Sequence, residues 1–260
     1  MGIGISHLEA SKDKAYFLNG YKRKFFLDDM WSYGKLVGFD LETTGLDIKS
    51  AIPVSYAFCT FKERNLVDKI DQIVNPGIAI PIEATRIHGI TTDRAVANGV
   101  ELKTAIGYIY NQILDLAASN VPLVGMNLTY DLTIVELLSR KLLGTGLQMG
   151  SWTGPVIDVL IMDRFLDKYR SGSRNLASLC NHYEIHNSAP HQAFFDAKVT
   201  CEITFKMADK FSLDEIALDE LFDMQRKAYL EWATSYTHLL KSQNRKPLAK
   251  EQFSWPIYDY

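Results

Sequence analysis

The stretch Phe39-Asp40-Leu41-Glu42-Thr43-Thr44-Gly45 places two carboxylates two residues apart, directly after the short apolar run Leu36-Val37-Gly38. The apolar run predicts a buried strand. Because side chains two apart on a strand lie on the same face, we expect Asp40 and Glu42 to project together. The two carboxylates would repel each other, and a hard divalent cation such as Mg²⁺ or Mn²⁺, which prefers oxygen ligands, would relieve that repulsion. A bare Asp-x-Glu pair is also common as two solvated acids at a strand end, so the interpretation depends on partners elsewhere in the chain.

The composition of the 260-residue chain is that of an ordinary globular protein, with 47% hydrophobic and 23% charged residues. No apolar run approaches the roughly 18 residues of a membrane span, and the N-terminus lacks a signal-peptide core, so we expect no membrane contact. A net charge of −3 argues against broad, charge-driven nucleic-acid binding. It remains compatible with an enzyme that grips one strand end with the help of metal ions.

The cysteines point to a reducing compartment. There are three, Cys59, Cys180 and Cys201, far apart and odd in number. They form neither a metal-ligand spacing nor a disulfide framework, which suits the cytosol. We therefore predict a cytoplasmic protein.

Strands that alternate with helices predict an α/β fold with a mixed sheet. Five strands are expected, near residues 36–38, 52–61, 65–74, 121–126 and 156–160. Helices are expected over residues 101–118, 130–143, 161–169, 175–183, 193–211 and 213–243. The predicted organisation is a partly helical N-terminal arm at 1–33, a main domain at 34–211, and a helical extension with a tail at 212–260.

Two further motifs carry chemically useful side chains. Asp131 closes Asn127-Leu128-Thr129-Tyr130-Asp131 and falls in the first turn of a predicted helix, where the helix dipole favours an acid. His191 and Asp196 lie five residues apart, so on one regular helix they would face about 140° away from each other. Pro190 favours a loop at His191. We therefore expect His191 just before a helix and Asp196 on the inner face of that helix.

Taken together and in this order, the three motifs resemble those of the DEDDh 3′→5′ exonucleases, the family that includes the epsilon proofreading subunit of bacterial DNA polymerase III. They correspond to residues 39–45, 127–131 and 191–196, and the segments at 75–77 and 87–91 are also similar to this family. The sister class carries a tyrosine four residues before the last aspartate, where this chain has Gln192, so the histidine class is the better match. The resemblance covers roughly residues 34–210 and is closest to stand-alone bacterial or phage exonucleases. It implies a ribonuclease H-like fold with a mixed five-stranded sheet flanked by helices.

The resemblance also implies roles for individual residues in a two-metal phosphodiester hydrolysis. Asp40 would bridge two Mg²⁺ or Mn²⁺ ions, with Glu42 and Asp196 on the nucleophile side and Asp131 on the leaving-group side. His191 would accept the proton of the attacking water as general base. Contacts with the terminal nucleotide are implied for Thr43, Thr44 and His88.

The sequence thus predicts a metal-dependent 3′→5′ exonuclease that releases nucleoside monophosphates from DNA, in proofreading or DNA repair. The expected partners are a single-stranded or frayed nucleic acid with a free 3′ end and a DNA polymerase or repair complex. One alternative is an exoribonuclease on the same fold, because the catalytic residues do not distinguish the two sugars. Another is a catalytically dead DEDD module that only binds. Such a module would be expected to lack at least one of the five core residues, and all five are present.

A basic cluster follows the predicted strand that carries Asp158. Its members are Arg164, Lys168, Arg170 and Arg174, beside Phe165 and Tyr169. Such a cluster predicts contacts with substrate phosphates, and a solvated basic loop is the alternative.

Overall fold

The computed structural model describes residues 30–147 and 154–260 in full, together with the backbone of residues 13–18 and 21–26. The last two segments pair as an antiparallel hairpin of β1 (Asp13–Leu18) and β2 (Tyr21–Phe26). The prediction of a partly helical arm is wrong for these residues. The chain between the strands reads Asn19-Gly20, a strong sequence signal for a two-residue hairpin that the prediction overlooked. The rest of the arm up to residue 29 lies outside the described residues.

A mixed sheet forms the centre of the fold, which confirms the predicted α/β class. Its six strands are β3 (Leu36–Thr43), β4 (Pro53–Lys62), β5 (Asn65–Asn75), β6 (Val100–Glu101), β7 (Leu123–Gly125) and β8 (Val156–Asp158). Their order is β6-β5-β4-β3-β7-β8, with β3, β4 and β5 antiparallel and the other three pairings parallel. Five strands were expected. The sixth, β6, is only two residues long, too short to leave a periodic pattern in the sequence.

Eight α-helices occur in the described part of the chain. They are α1 (Ile82–His88), α2 (Thr92–Asn98), α3 (Leu102–Ala118), α4 (Leu128–Leu143), α5 (Val159–Leu166), α6 (Leu176–His182), α7 (Ala193–Phe211) and α8 (Leu218–Ser242). None of them is long and apolar enough to cross a bilayer.

The alternation of side chains along β3 separates the two faces of the sheet. Val37, Phe39 and Leu41 belong to the core that β3 shares with α3 and α4. Leu36 belongs to the opposite core, which contains most of the buried side chains of α7. Gly38 lies on that second face, and a Cβ there would fall 2.5 Å from the carbonyl oxygen of Ala197 in α7. A glycine at this position therefore allows α7 to lie directly against β3.

The C-terminal extension packs onto the same cores as the rest of the chain. Trp255 and Ile257 of the tail are buried with side chains of α3 and α4. From α8, the buried amide of Gln225 donates to Val156 O at 2.8 Å and accepts from Asp158 N at 2.7 Å. Since β8 is an edge strand, this side chain supplies the hydrogen bonds that a further strand would have made.

Candidate active site

Three carboxylates meet where the C-terminal half of β3 faces the first turn of α7. Asp40 and Glu42 come from β3, and Asp196 comes from α7. One carboxylate oxygen of each lies within 4.8 Å of the others. The two acids of β3 therefore project together, as the strand period predicted. A set of ligands made only of carboxylate oxygens fits a hard cation such as Mg²⁺ or Mn²⁺.

The electrostatics of this group also fit a bound cation. Burial raises the pKa of Asp40 well above its usual range, and the neighbouring carboxylates of Asp131, Glu42 and Asp196 raise it further. Burial likewise raises the pKa of Glu42 to about 8, with Asp196 adding to the shift. No lysine or arginine in the described part of the chain opposes either shift. The carboxylates are thus crowded and poorly solvated, and a divalent cation would supply the missing positive charge.

Asp131 lies beside this group, in the first turn of α4. Its side chain is 5% exposed, and its Oδ1 accepts a hydrogen bond from Leu41 N of β3 at 3.2 Å. Burial raises the pKa of Asp131, and the backbone N–H groups that it accepts from act in the opposite direction. The hydrogen bond to β3 and the electrostatic coupling to Asp40 place a fourth carboxylate next to the other three.

A buried aspartate that the sequence reasoning did not assign to the site holds the start of α4. Both carboxylate oxygens of Asp158 accept from backbone N–H groups there, Oδ1 from Asn127 at 3.0 Å and Oδ2 from Leu128 at 2.9 Å. Oδ1 also accepts from Leu160 N at 3.0 Å and so caps α5. Asn127 adopts a left-handed conformation with φ of 60°, which brings the chain into this arrangement. An aspartate between a strand and a helix is a recognisable N-cap signal, so Asp158 could have been found from the sequence.

His191 lies just before α7, as expected, and its side chain is exposed. Its backbone has φ of 62°, and its N–H donates to Asp196 Oδ2 at 3.0 Å. Asn187 Nδ2 donates to the other oxygen of the same carboxylate at 2.6 Å. Asp196 itself is 8% exposed and faces the sheet, which is the inner-face position that the spacing predicted. No sequence pattern pointed to Asn187.

The loop after β3 is tied by side-chain hydrogen bonds. The hydroxyls of Thr43 and Tyr130 are 2.8 Å apart, and both contact the carbonyl oxygen of Gly45. Thr44 is buried, and its Oγ1 accepts from Ile52 N at 3.0 Å. Thr43 is partly exposed at the edge of the site. The buried hydroxyl of Thr44 instead stabilises the loop through its bond with Ile52.

His88 brings a buried nitrogen without a partner to the same region. Its side chain is 7% exposed, and its Nδ1 accepts from Ile90 N at 3.1 Å. Nε2 is buried and has no hydrogen-bond partner among the described residues. Burial lowers the pKa of His88, an interaction with the Thr43 backbone raises it, and His191 lowers it. Thr43 and His191 are therefore neighbours of His88. Because Nδ1 is an acceptor, Nε2 of the neutral ring is a donor; it interacts with the Thr43 backbone but makes no hydrogen bond of ordinary geometry with the described residues.

The basic cluster is only partly available for phosphates. Arg170 Nη2 donates to the fully buried Asp163 at 2.9 Å. Arg174 pairs with the same carboxylate and donates to the backbone oxygen of Asp163 at 2.9 Å. These two arginines neutralise a buried acid, which removes them from the predicted phosphate contacts. Arg164 and Lys168 remain.

Comparison with known proteins agrees with this geometry. A family model described as exonuclease, of the RNase T type, matches residues 37–204. The chain belongs to the DEDD 3′→5′ exonuclease family. It is 29% identical over 191 residues to a PolC-type DNA polymerase III of Caldanaerobacter subterraneus subsp. tengcongensis, an alignment that covers 74% of this chain and 13% of that protein. With the PolC-type DNA polymerase III of Clostridium perfringens the identity is 25% over 225 residues, with 86% of this chain and 14% of that protein covered. This member of the family thus spans only about an eighth of these relatives.

Solved structures share the ribonuclease H-like fold of this exonuclease family member. E. coli Exonuclease I in complex with a dA16 oligonucleotide superposes with a TM-score of 0.59 at 17% identity, covering 80% of this chain and 45% of that one. Exonuclease X in complex with 5′ overhanging duplex DNA gives a TM-score of 0.52 at 18% identity, covering 73% of this chain and 99% of that one. At these identities the likeness concerns the fold alone.

Proposed function

We propose that this protein is a metal-dependent 3′→5′ exonuclease that removes nucleoside monophosphates from the 3′ end of DNA. The observation that carries the proposal is the group of poorly solvated carboxylates of Asp40, Glu42 and Asp196, with Asp131 beside it. Nucleic acid as the substrate class agrees with membership of the exonuclease family. DNA is favoured because the relatives are DNA polymerases and a structural neighbour is bound to a DNA oligonucleotide. A DNA polymerase or repair complex is accordingly the proposed protein partner.

Asp40, Glu42 and Asp196, with Asp131 beside them, would hold two divalent cations. When bound, such cations place positive charge against the scissile phosphate and make the attacking water more acidic. The protein's own contribution is to hold the carboxylates in place. Asp196 is held by Asn187 and by the backbone of His191, and the helix that carries Asp131 is held by Asp158.

His191 is the proposed general base. Its imidazole is exposed at the edge of the carboxylate group, and its backbone is fixed by the hydrogen bond to Asp196. Imidazole is a base that can take the proton of the attacking water, and at this exposed position it can release that proton to solvent.

The terminal nucleotide is proposed to contact Thr43, Thr44 and His88. The strongest support concerns His88, because its buried Nε2 makes no hydrogen bond of ordinary geometry with the described residues, and a sugar or phosphate oxygen would offer it an acceptor. Thr43 contributes a hydroxyl at the edge of the site, and Thr44 retains one O–H after accepting from Ile52.

Digestion of matched strands tests the proposal. Single-stranded DNA and RNA of one sequence, labelled at the 5′ end, are incubated with Mn²⁺, once with a free 3′ hydroxyl and once with an inverted 3′ nucleotide. We expect a ladder of products from the free DNA end and none from the blocked end. Faster digestion of RNA than of DNA would mean that RNA is the substrate. Equal cleavage of the blocked and free strands would rule out an exonuclease that starts at the 3′ end.

A further inference from the structure

A cleft of about 440 Å³ lies between α5 and α8, outside the group of carboxylates. One wall comes from α5 and the loop after it, and the other comes from the C-terminal extension. Arg164, Phe165 and Lys168 belong to the first wall, and Trp232 belongs to the second. The volume of the cleft falls in the range of small-ligand sites, roughly 300–1,000 Å³.

Arg164 is a half-buried cation without a matching anion. Its guanidinium stacks over the ring of Trp232, 4.2 Å from the centroid, and it makes no hydrogen bond or ion pair with the described residues. Arg170 and Arg174, by contrast, are both paired with Asp163. Burial lowers the pKa of Arg164, and the carboxylate of Asp158, which forms no ion pair with it, opposes this shift only in part. An anion in the cleft would provide the missing partner.

The walls of the cleft also offer flat aromatic surfaces. Phe165 is 45% exposed although it is a large apolar side chain. Trp232 stacks on Tyr236 with 5.3 Å between ring centroids and 13° between planes and also carries Arg164 over its ring, so Trp232 holds the guanidinium in place and Phe165 is the exposed ring of the cleft. Exposed aromatic rings and a guanidinium plane are the surfaces on which nucleobases stack in proteins that bind single strands. Glu231 is the one acid that lines the described cleft, against the cations of Arg164, Lys168 and Arg174.

We propose that this cleft binds one nucleotide of the single-stranded substrate, away from the carboxylates, with the phosphate at Arg164 and Lys168 and the base against the exposed ring of Phe165. The identity of the occupant rests on the proposed nuclease function. A cation alone would accept any anion, and an aromatic wall alone would accept any apolar group. The two together match a nucleotide, and a nucleic-acid strand supplies nucleotides at high local concentration. The C-terminal extension thereby completes a second contact with the strand.

Binding measurements test the cleft without hydrolysis. In an Asp40→Ala background, affinity for a fluorescent 20-nucleotide single strand is measured by anisotropy over a range of salt concentrations. Arg164→Gln/Lys168→Gln is compared with Lys227→Gln/Lys241→Gln, which removes the same charge from exposed positions of α8 outside the cleft. We expect the cleft variant to bind about tenfold more weakly and its log–log salt slope to fall by about 0.7, the contribution of one phosphate contact to a single strand.

A second variant separates base stacking from charge. Phe165→Leu keeps an apolar side chain at an exposed position, and we expect several-fold weaker binding with an unchanged salt slope. If both cleft variants bind within twofold of the α8 control, the cleft is not part of the strand path. Free dAMP and unlabelled strand are also compared as competitors, each counted by its concentration of nucleotides. If dAMP displaces the fluorescent strand from the cleft as well as the unlabelled strand does, the cleft binds a free nucleotide and not the strand.

Hydrolysis of the p-nitrophenyl ester of thymidine 5′-monophosphate separates this proposal from the proposed function. The ester carries one nucleotide and reports on the carboxylate site alone. We expect the Arg164→Gln/Lys168→Gln protein with an intact Asp40 to hydrolyse it within twofold of wild type. A wild-type protein that binds strands through the cleft but leaves the ester intact would contradict the nuclease function and not the cleft. A cleft variant that loses ester hydrolysis and strand binding alike would overturn the assignment of the cleft as a separate contact.

Discussion

The side-chain amide of Gln225 replaces a missing strand at the edge of the sheet by bonding to the backbone of Asp158, with 2.7 Å between Asp158 N and Gln225 Oε1. The carboxylate of Asp158 in turn accepts two backbone N–H groups from the start of α4. Through these bonds the C-terminal extension braces the helix that carries Asp131. A residue far from the carboxylates thus contributes to their placement.

Gln225→Leu should destabilise the protein by roughly 2–4 kcal/mol, because it leaves Asp158 N and Val156 O buried without partners. The measurement is urea unfolding of the metal-free protein. Arg226→Gln is the matched control, since its exposed i,i+3 pair with Asp223 contributes little. A Gln225→Leu protein as stable as this control would show that the edge of β8 does not depend on the extension.

Gly38→Ala should be costly both to stability and to metal binding. The added Cβ would lie 2.5 Å from Ala197 O and so would push α7, which carries Asp196, away from β3. Overpacking of this kind costs roughly 1–3 kcal/mol. Gly107→Ala in α3 is the control, because its Cβ would meet only Leu143 Cδ2 at 4.0 Å and alanine favours a helix. Melting curves with and without Mn²⁺ measure both effects. If Mn²⁺ raises the melting temperature of Gly38→Ala as much as that of wild type, the position of α7 does not control metal binding.

His191→Ala should lower kcat by about 10²–10⁴ while metal binding persists, because carboxylates hold the metals and the histidine moves a proton. His186→Ala, an exposed histidine in the same loop, serves as the control. Single-turnover rates across pH make the comparison, and the limb that reports protonation of the base should disappear in His191→Ala only. An alanine variant within a few-fold of wild type, with the same pH profile, would mean that another group is the base.

The metal-free protein should lose stability as pH rises from about 4.5 to about 8. Burial and neighbouring carboxylates raise the folded-state pKa of Asp40, and that of Glu42 from 4.5 to about 8. Over this interval the folded protein holds protons that the unfolded chain has released, so deprotonation favours unfolding. Asp40→Asn removes one of these acids, and its stability relative to wild type should increase with pH. Thermal melts in EDTA from pH 5 to 8 measure this difference, and a difference that stays constant with pH would contradict the crowding of the carboxylates.

The sequence predicted the parts of the site that local patterns encode. The strand period predicted that Asp40 and Glu42 lie together. Pro190 predicted a loop at His191, before the helix that carries Asp196; that helix was predicted at 193–211 and is found at Ala193–Phe211. Residues whose partners lie far along the chain could not be found in this way. Gln225 looks like an ordinary polar residue of an amphipathic helix, and its burial depends on how the extension packs against β8. Arg170 and Arg174 likewise form ion pairs with Asp163 because of the path of the loop, and residue spacing does not show that path.

The digestion of a 5′-labelled single-stranded DNA by wild type and Asp40→Ala, each with Mn²⁺ and with excess EDTA, tests most directly whether the carboxylates act through divalent cations. Asp40→Ala should remain folded, because removal of one crowded acid relieves repulsion. We predict a ladder that shortens from the 3′ end only for wild type with Mn²⁺, and no product in the other three reactions. Undiminished digestion by wild type in excess EDTA, or wild-type turnover by Asp40→Ala with Mn²⁺, would contradict the account.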